Sequence, residues 1–318
     1  MLKTLIKITG QSFILPFYHA VSDDIPVHLK HLFTVRSIKQ FEDDLDFLLN
    51  NYKPVSIYET YDHIKKHGYP PANSFMLSFD DGLREFKDIA FPIIKRKGIP
   101  VSIFINPGFI DNKQLFFRFK ASILIEKIIT DKTNVECLND YIINKKTTPE
   151  KFLKSITYKN KYVLDNIAKC IGVDFDEYLT KNRPYLTLNE LNELKNNDVF
   201  IGAHSIDHPL FNMLNNEEQT FQLNRSVDFI KQKFNSRIRG FSFPFTDYGV
   251  SKDFFNKMFE EEITDITFGT AGIKKEKFKY HLHRIPVENY NKGIQQILIR
   301  QYLYYIIKIP FFRNTIRR

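Results

Sequence analysis

One apolar run ending in two adjacent carboxylates constrains this chain more than any other feature: Phe75-Met76-Leu77-Ser78-Phe79-Asp80-Asp81-Gly82. Phe75, Met76, Leu77 and Phe79 suit a strand covered on both faces, the habit of parallel sheets flanked by helices. Gly82 frees the backbone to turn where the strand ends. Neighbouring carboxylates repel and desolvate each other, so holding both at one strand end calls for a cation or a shared proton. Alone, the stretch reads equally well as a strand running out in an Asp-Asp-Gly turn.

A second stretch shifts that balance. Val199-Phe200-Ile201-Gly202-Ala203 is another apolar run, and it leads into His204-Ser205-Ile206-Asp207-His208-Pro209. Histidines four apart share one side of a single helical turn and can share a metal. With Asp81 as third ligand, the set is two imidazoles and one carboxylate with a position open for water. Catalytic Zn²⁺ and some Fe²⁺ or Mn²⁺ sites use this pattern.

Between these stretches, strand and helix patterns alternate. Residues 13–20 read as a first strand ending at His19, 37–50 as a helix, and Ser56 as the cap of another. Residues 84–97 read as a helix closed by Gly98, followed by a strand over 101–105. Later come a helix over 215–235, a strand from Gly240 to Phe245, a helix over 251–261, and strands near 265–270 and 280–287. Such alternation implies parallel pairing through right-handed crossovers, hence a barrel or a doubly wound sheet. Residues 112–184 break the rhythm with helical apolar spacing at Phe119, Ile123, Leu124 and Ile128 amid many Lys and Asn. They read as a helical insertion, placed over the active end or packed peripherally. Residues 21–36 read as loop.

Ser-Phe-Asp-Asp-Gly together with His-Ser-x-x-His-Pro resembles the polysaccharide deacetylase family, also called the NodB-homology domain or carbohydrate esterase family 4. The likeness extends over Phe91–Ile105 and Leu186–Lys195 and covers most of residues 13–290. It implies a distorted, incomplete (β/α) barrel as one domain spanning 1–318, with the insertion at about 112–184 and an apolar, basic C-terminal helix at about 291–318. It implies a hydrolase that removes an acetyl group, N-acetyl above all, from a sugar or glycan intermediate. The metal ligands would be Asp81, His204 and His208, with Zn²⁺ expected and Co²⁺ or Mn²⁺ as alternatives. Asp80 would be the general base, His283 the acid for the leaving amine, and the Phe245 N–H the oxyanion donor. One departure stands out. Where the family's third motif usually has Arg, this chain has Ser242; Arg239 or Arg284 is the candidate replacement for the ion pair with the base. The missing Arg also leaves room for a degenerate carbohydrate-binding or scaffold protein, and the site type allows a non-sugar amide hydrolase.

Composition narrows the setting. The net charge of +9 suits an anionic membrane surface or an acidic substrate, while no nucleic-acid motif accompanies it. Cys137 and Cys170 do not make a disulfide framework and are expected as small core residues, so the chain does not depend on an oxidising compartment. The first ten residues lack the uninterrupted apolar core of an export signal. These points together predict a cytoplasmic protein, whose final helix either closes the bottom of the barrel or, with its basic tail, lies on the inner membrane face.

Overall fold

The computed structural model describes residues 1–131, 138, 140–142, 147–288 and 292–318. Its frame is an eight-stranded sheet, all of whose pairings are parallel. The strands in chain order are β1 (Phe13–Ile14), β2 (Pro16–Tyr18), β3 (Lys53–Pro54), β4 (Ser74–Phe75), β5 (Leu77–Asp80), β6 (Val101–Ile105), β7 (Phe200–Ala203), β8 (Gly240–Ser242), β9 (Ile266–Gly269), β10 (His281–His283) and β11 (Ile285–Pro286). The large sheet runs β10-β9-β8-β7-β6-β5-β2-β11, and β1, β4 and β3 form a small companion sheet.

The two edge strands of the large sheet, β10 and β11, are consecutive in sequence and separated by one residue, Arg284. The Arg284 N–H donates to Gly269 on β9, and the Ile285 N–H donates to Leu15 beside β2. Arg284 therefore sits at the seam where the sheet nearly closes on itself, which makes the architecture the incomplete (β/α) barrel expected. Every residue of β5, β6 and β7 is buried, as unbroken apolar runs covered on both faces should be.

The helices form where caps and apolar periodicity coincide. Ser37, Ser56, Thr187 and Asn215 each close a capping box with Gln40, Glu59, Glu190 and Glu218, which satisfies otherwise orphaned first-turn amides. The helix expected over 84–97 opens as a π-turn, Phe86–Ala90, before the α-helix Phe91–Arg96. Pro92 lies at that junction and has no N–H to give to the preceding turn. Two helices were not anticipated: Leu2–Thr9, and the single turn Val27–Lys30 in the stretch read as loop.

The insertion is helical, with helices Phe117–Asp131, Pro149–Ser155, Tyr162–Cys170 and Phe175–Asn182. It has its own apolar cluster, which also takes in Leu29, Val35 and Leu83 from the barrel side. Cys170 corrects the cysteine expectation: it is exposed and disulfide-bonded. That removes the cysteine argument that the chain does not depend on an oxidising compartment; Cys137 lies outside the described residues. The last helix, Ile294–Lys308, buries Ile294, Ile297, Leu298, Tyr302 and Tyr305. The Tyr302 hydroxyl donates to the Gln11 carbonyl just before β1, so this helix packs where the strands begin. Its opposite side leaves Leu303, Tyr304 and Ile307 exposed. No helix among the described residues is long and apolar enough to cross a membrane.

Candidate metal centre

Strand ends deliver the site. Asp80 closes β5 and Asp81 follows it; His204 follows β7; Phe245 lies three residues past β8; His19 follows β2. All are at the carboxyl ends of parallel strands, where such folds collect their chemistry. The backbone is strained at this point. Asp81, Ser205, His208 and Phe245 all have positive φ, at 72°, 64°, 62° and 57°, conformations that cost a non-glycine residue about 1–3 kcal/mol and cluster at functional sites. Gly82 also has positive φ, and a Cβ there would meet the Ile105 side chain at 3.0 Å.

Asp81, His204 and His208 each offer a ligand atom, and these atoms lie within 4.8 Å of one another. The Asp81 Oδ1 is 3.3 Å from His208 Nε2 and 3.7 Å from His204 Nε2. His204 Nδ1 is tied to the Ser242 carbonyl at 2.8 Å, so its N–H is spent there and Nε2 is left as the lone-pair nitrogen facing Asp81. The buried Asp81 Oδ1 has no hydrogen-bond partner, which an oxygen built to hold a cation explains. Burial raises the Asp81 carboxyl to about 7, lowers His204 to about 4 and pushes His208 well below the usual histidine range. Neutral imidazoles beside a carboxylate poised near neutrality form a donor set suited to a divalent cation. The loop carrying the histidines is pinned on both sides. Asn106 donates from Nδ2 to the His204 and Ser205 carbonyls. Asp207 accepts from the Tyr158 hydroxyl at 2.7 Å and from Lys161 at 2.8 Å, both on the insertion.

Asp80 faces a different environment. Arg284 grips it bidentately, with both N–H···O distances at 2.7 Å, and also donates to Ser242 Oγ at 2.6 Å. Burial alone would raise the Asp80 carboxyl, but the guanidinium outweighs it and holds the group down at about 2. Of the two candidates for the missing third-motif arginine, Arg284 thus takes the place. Arg239 pairs with Asp265 at 2.7 Å instead. Arg284 is fully buried and reaches inward from the seam described above.

His283 does not join this group and lies apart from the site expected for it. Its Nε2 donates to the Glu276 carboxylate at 3.1 Å, and its Nδ1 lies 3.9 Å from Asp247. Asp247, His281 and His283 form a second buried triad whose spacing could also hold a metal. Here, however, the Arg318 guanidinium already sits 2.6 Å from Asp247 and 2.8 Å from Glu276, so both carboxylates are neutralised by the protein itself. A histidine that does share the site cavity with the donor set is His19. Its Nδ1 forms a very short contact with Glu288 Oε2, and the other carboxylate oxygen accepts from the His19 and Ala20 amides at 2.9 and 3.0 Å. Burial would lower the imidazole, but the Glu288 carboxylate more than reverses this and raises it to about 9. His19 is therefore an imidazolium at neutral pH whose Nε2 remains for a ligand.

The cavity around these groups measures about 480 Å³ and is lined by Asp80, Asp81, His204, His208, His19 and Phe245, with Phe116, Arg118, Phe119 and Lys154 contributed by the insertion or its approach. The insertion thus forms part of the site wall. Glu288 and Asn106 were not foreseen: Glu288 is 269 residues from His19 in sequence, and nothing local marks either residue.

A family model described as polysaccharide deacetylase matches residues 67–258, more than half of the chain. That span includes Asp80, Asp81, His204, His208 and Phe245, but not His19, Arg284 or Glu288. No curated protein sequence matches. Among solved structures, the chain is similar to the Streptococcus pyogenes deacetylase PplD in complex with acetate, at 14% identity and TM-score 0.57, over 92% of this chain and 98% of that one. It is similar to IcaB from Ammonifex degensii at 15% identity and TM-score 0.57 with the same coverage. A de-N-acetylase from Aggregatibacter actinomycetemcomitans matches at 15% identity and TM-score 0.54, over 90% of this chain and 99% of that one. At these identities the likeness is one of fold.

Proposed function

The chain belongs to the polysaccharide deacetylase family, and on that premise we propose that it is a metal-dependent hydrolase removing an N-acetyl group from a sugar of a glycan or glycan intermediate. The observation that carries this reading is the pairing, in one cavity, of an Asp-His-His donor set with an unligated carboxylate and an imidazolium. A divalent cation held by Asp81, His204 and His208, Zn²⁺ in the first place, would acidify a water molecule and polarise the acetyl carbonyl.

The chain's own residues then divide the work. Asp80, kept ionised by Arg284 and fixed by it in one orientation, accepts the proton of the attacking water. A carboxylate held at about 2 is a weak base, so what it contributes is placement more than basicity. The Phe245 N–H, carried by a strained residue at the cavity wall, donates to the oxyanion as the carbonyl becomes tetrahedral. His19, protonated at neutral pH by its contact with Glu288, delivers a proton to the departing amine. This assigns the acid's role to His19 and relieves His283 of it. The replacement of the usual arginine by Arg284 removes the sequence feature that favoured a non-catalytic scaffold.

The test is acetate release from N-acetylated oligosaccharides by the zinc-loaded chain, with Asp80→Asn and His19→Gln beside the wild type. Turnover in the wild type, lost by about 10²–10⁴-fold in each variant with zinc content unchanged, is the expected result. Full activity in Asp80→Asn would overturn the base assignment, and no turnover of any acetylated sugar by the wild type would overturn the reading as a whole.

A further inference from the structure

The charged groups that line the cavity are almost all answered by the protein. Asp80 is gripped by Arg284, His19 by Glu288, His31 by Glu126 at 2.7 Å and Lys154 by Glu150 at 2.7 Å. Asp81 belongs to the donor set. Arg118 is different: among the described residues no carboxylate pairs with it. It is half-buried at the wall of the same cavity, on the first helix of the insertion, Phe117–Asp131. Its Nη1 donates to the Lys154 carbonyl. The guanidinium lies 5.1 Å from the centre of the Phe117 ring and 5.9 Å from that of Phe245. The Phe245 ring in turn stands 4.6 Å from the His208 ring. Arg118 is thus one aromatic ring away from the donor set.

A guanidinium in this position is under-used. It has five N–H donors, one of which is engaged. Removing its water without supplying a counter-charge is unfavourable, and burial already weakens its hold on its proton. Two aromatic rings flank it and Nη1 is tied to the Lys154 carbonyl, so its other donors remain available as a planar fork. That fork matches a carboxylate or a phosphate, which accept two parallel hydrogen bonds, and does not match a lone sugar hydroxyl.

We propose that the sugar this site takes carries an anionic group, a carboxylate or a phosphate, near its acetylated amine, and that Arg118 is the residue that selects it. This rests on the reading of the cavity as a sugar deacetylase site, and it deepens that reading by naming the class of sugar. The insertion is then the specificity element, bringing an arginine to a cavity whose reactive groups all come from the barrel.

The test measures binding, so it does not depend on turnover. The full chain, freed of metal by chelation, is titrated calorimetrically with N-acetylglucosamine, with N-acetylglucosamine 1-phosphate and with N-acetylglucosaminuronate. At least about tenfold tighter binding of one or both charged sugars over the neutral one is expected. Which one binds tighter separates phosphate from carboxylate as the natural group. In Arg118→Gln the preference should fall to within about twofold while binding of the neutral sugar is unchanged, and Arg118→Lys should keep part of it. Equal binding of all three sugars, no measurable binding of either charged sugar, or a preference that survives in Arg118→Gln would overturn the proposal. Because these outcomes are read without catalysis, they stand apart from a failure of the deacetylase reading itself.

Discussion

Arg284 is the residue whose removal the structure weighs most clearly. In Arg284→Met the bidentate pair to Asp80 is lost while the side-chain volume is roughly kept. The two charge centres are about 4 Å apart, so at an effective dielectric of about 20 the pair is worth about 4 kcal/mol, or roughly three pKa units on the carboxylate. Asp80 is 2% exposed, so water cannot replace the arginine. Breaking one half of such a buried pair typically costs about 3–5 kcal/mol, and that is the loss expected for Arg284→Met in urea unfolding of the metal-free chain at pH 7. Asp80→Asn should cost a similar amount, because it leaves Arg284 buried and unpaired. The double variant should be more stable than the sum of the two losses predicts by at least about 3 kcal/mol. The pH dependence has a definite sign. Asp80 is depressed in the folded state, so its contribution is present above the unfolded carboxylate value of 3.8 and is lost as pH falls through about 2. In Arg284→Met the carboxyl rises instead, and the deficit relative to wild type should shrink as pH falls below about 5. Losses under about 1 kcal/mol for each single variant, adding simply in the double, would refute the pairing and with it the reason given for the substitution at Ser242.

Three further outcomes follow from the same geometry. His19 is raised to about 9, above its unfolded value, so its bond to Glu288 is fully stabilising below about 6.5 and is lost as pH rises through about 9. Turnover should fall along the same alkaline limb, and Glu288→Gln should move that limb below about 6.5, as read from a pH–rate profile. Asp81 sits at about 7 without metal, so zinc affinity measured by calorimetry should weaken about tenfold per pH unit below 7 and level off above it. Tyr158→Phe removes the 2.7 Å bond to Asp207 between the two histidines; zinc affinity should drop about threefold to tenfold, somewhat less than when a direct partner of a ligand is removed.

The sequence carried the elements whose physical cause is local. The Asp-Asp-Gly strand end and the pair of histidines were legible as metal-ligand residues at the ends of apolar runs, and β5 and β7 set them at the same end of one sheet; the helical turn expected to align the histidines is instead a loop with positive φ at Ser205 and His208. What escaped was long-range. His19 and Glu288 meet only because β2 and β11 pair, and the single strand expected near 280–287 is in fact two, β10 and β11, at opposite edges of the sheet. Arg284 could be offered as a candidate but not chosen, because the choice depends on the seam between β10 and β11. The surroundings of His283, beside Glu276 and Asp247, were hidden for a similar reason. His281 and His283, two apart on β10, share one side of the strand, and that side faces Asp247, where Gly269 of the partner strand β9 leaves the room: a Cβ there would lie 2.8 Å from His283 Nδ1 and 2.2 Å from Asp247. The insertion's part in the cavity wall was left open by its sequence, since an apolar helical stripe does not say which neighbour covers it.

The central claim is a cation held by Asp81, His204 and His208 and used in deacetylation, and one titration tests it most directly: zinc added back to the chelated chain, with bound metal and acetate release from an N-acetylated sugar followed together. The account predicts that release rises in step with one equivalent of zinc and that both are lost in His204→Ala while both survive in His281→Ala. Zinc that binds equally well to His204→Ala, or acetate release that proceeds without any metal, would contradict it.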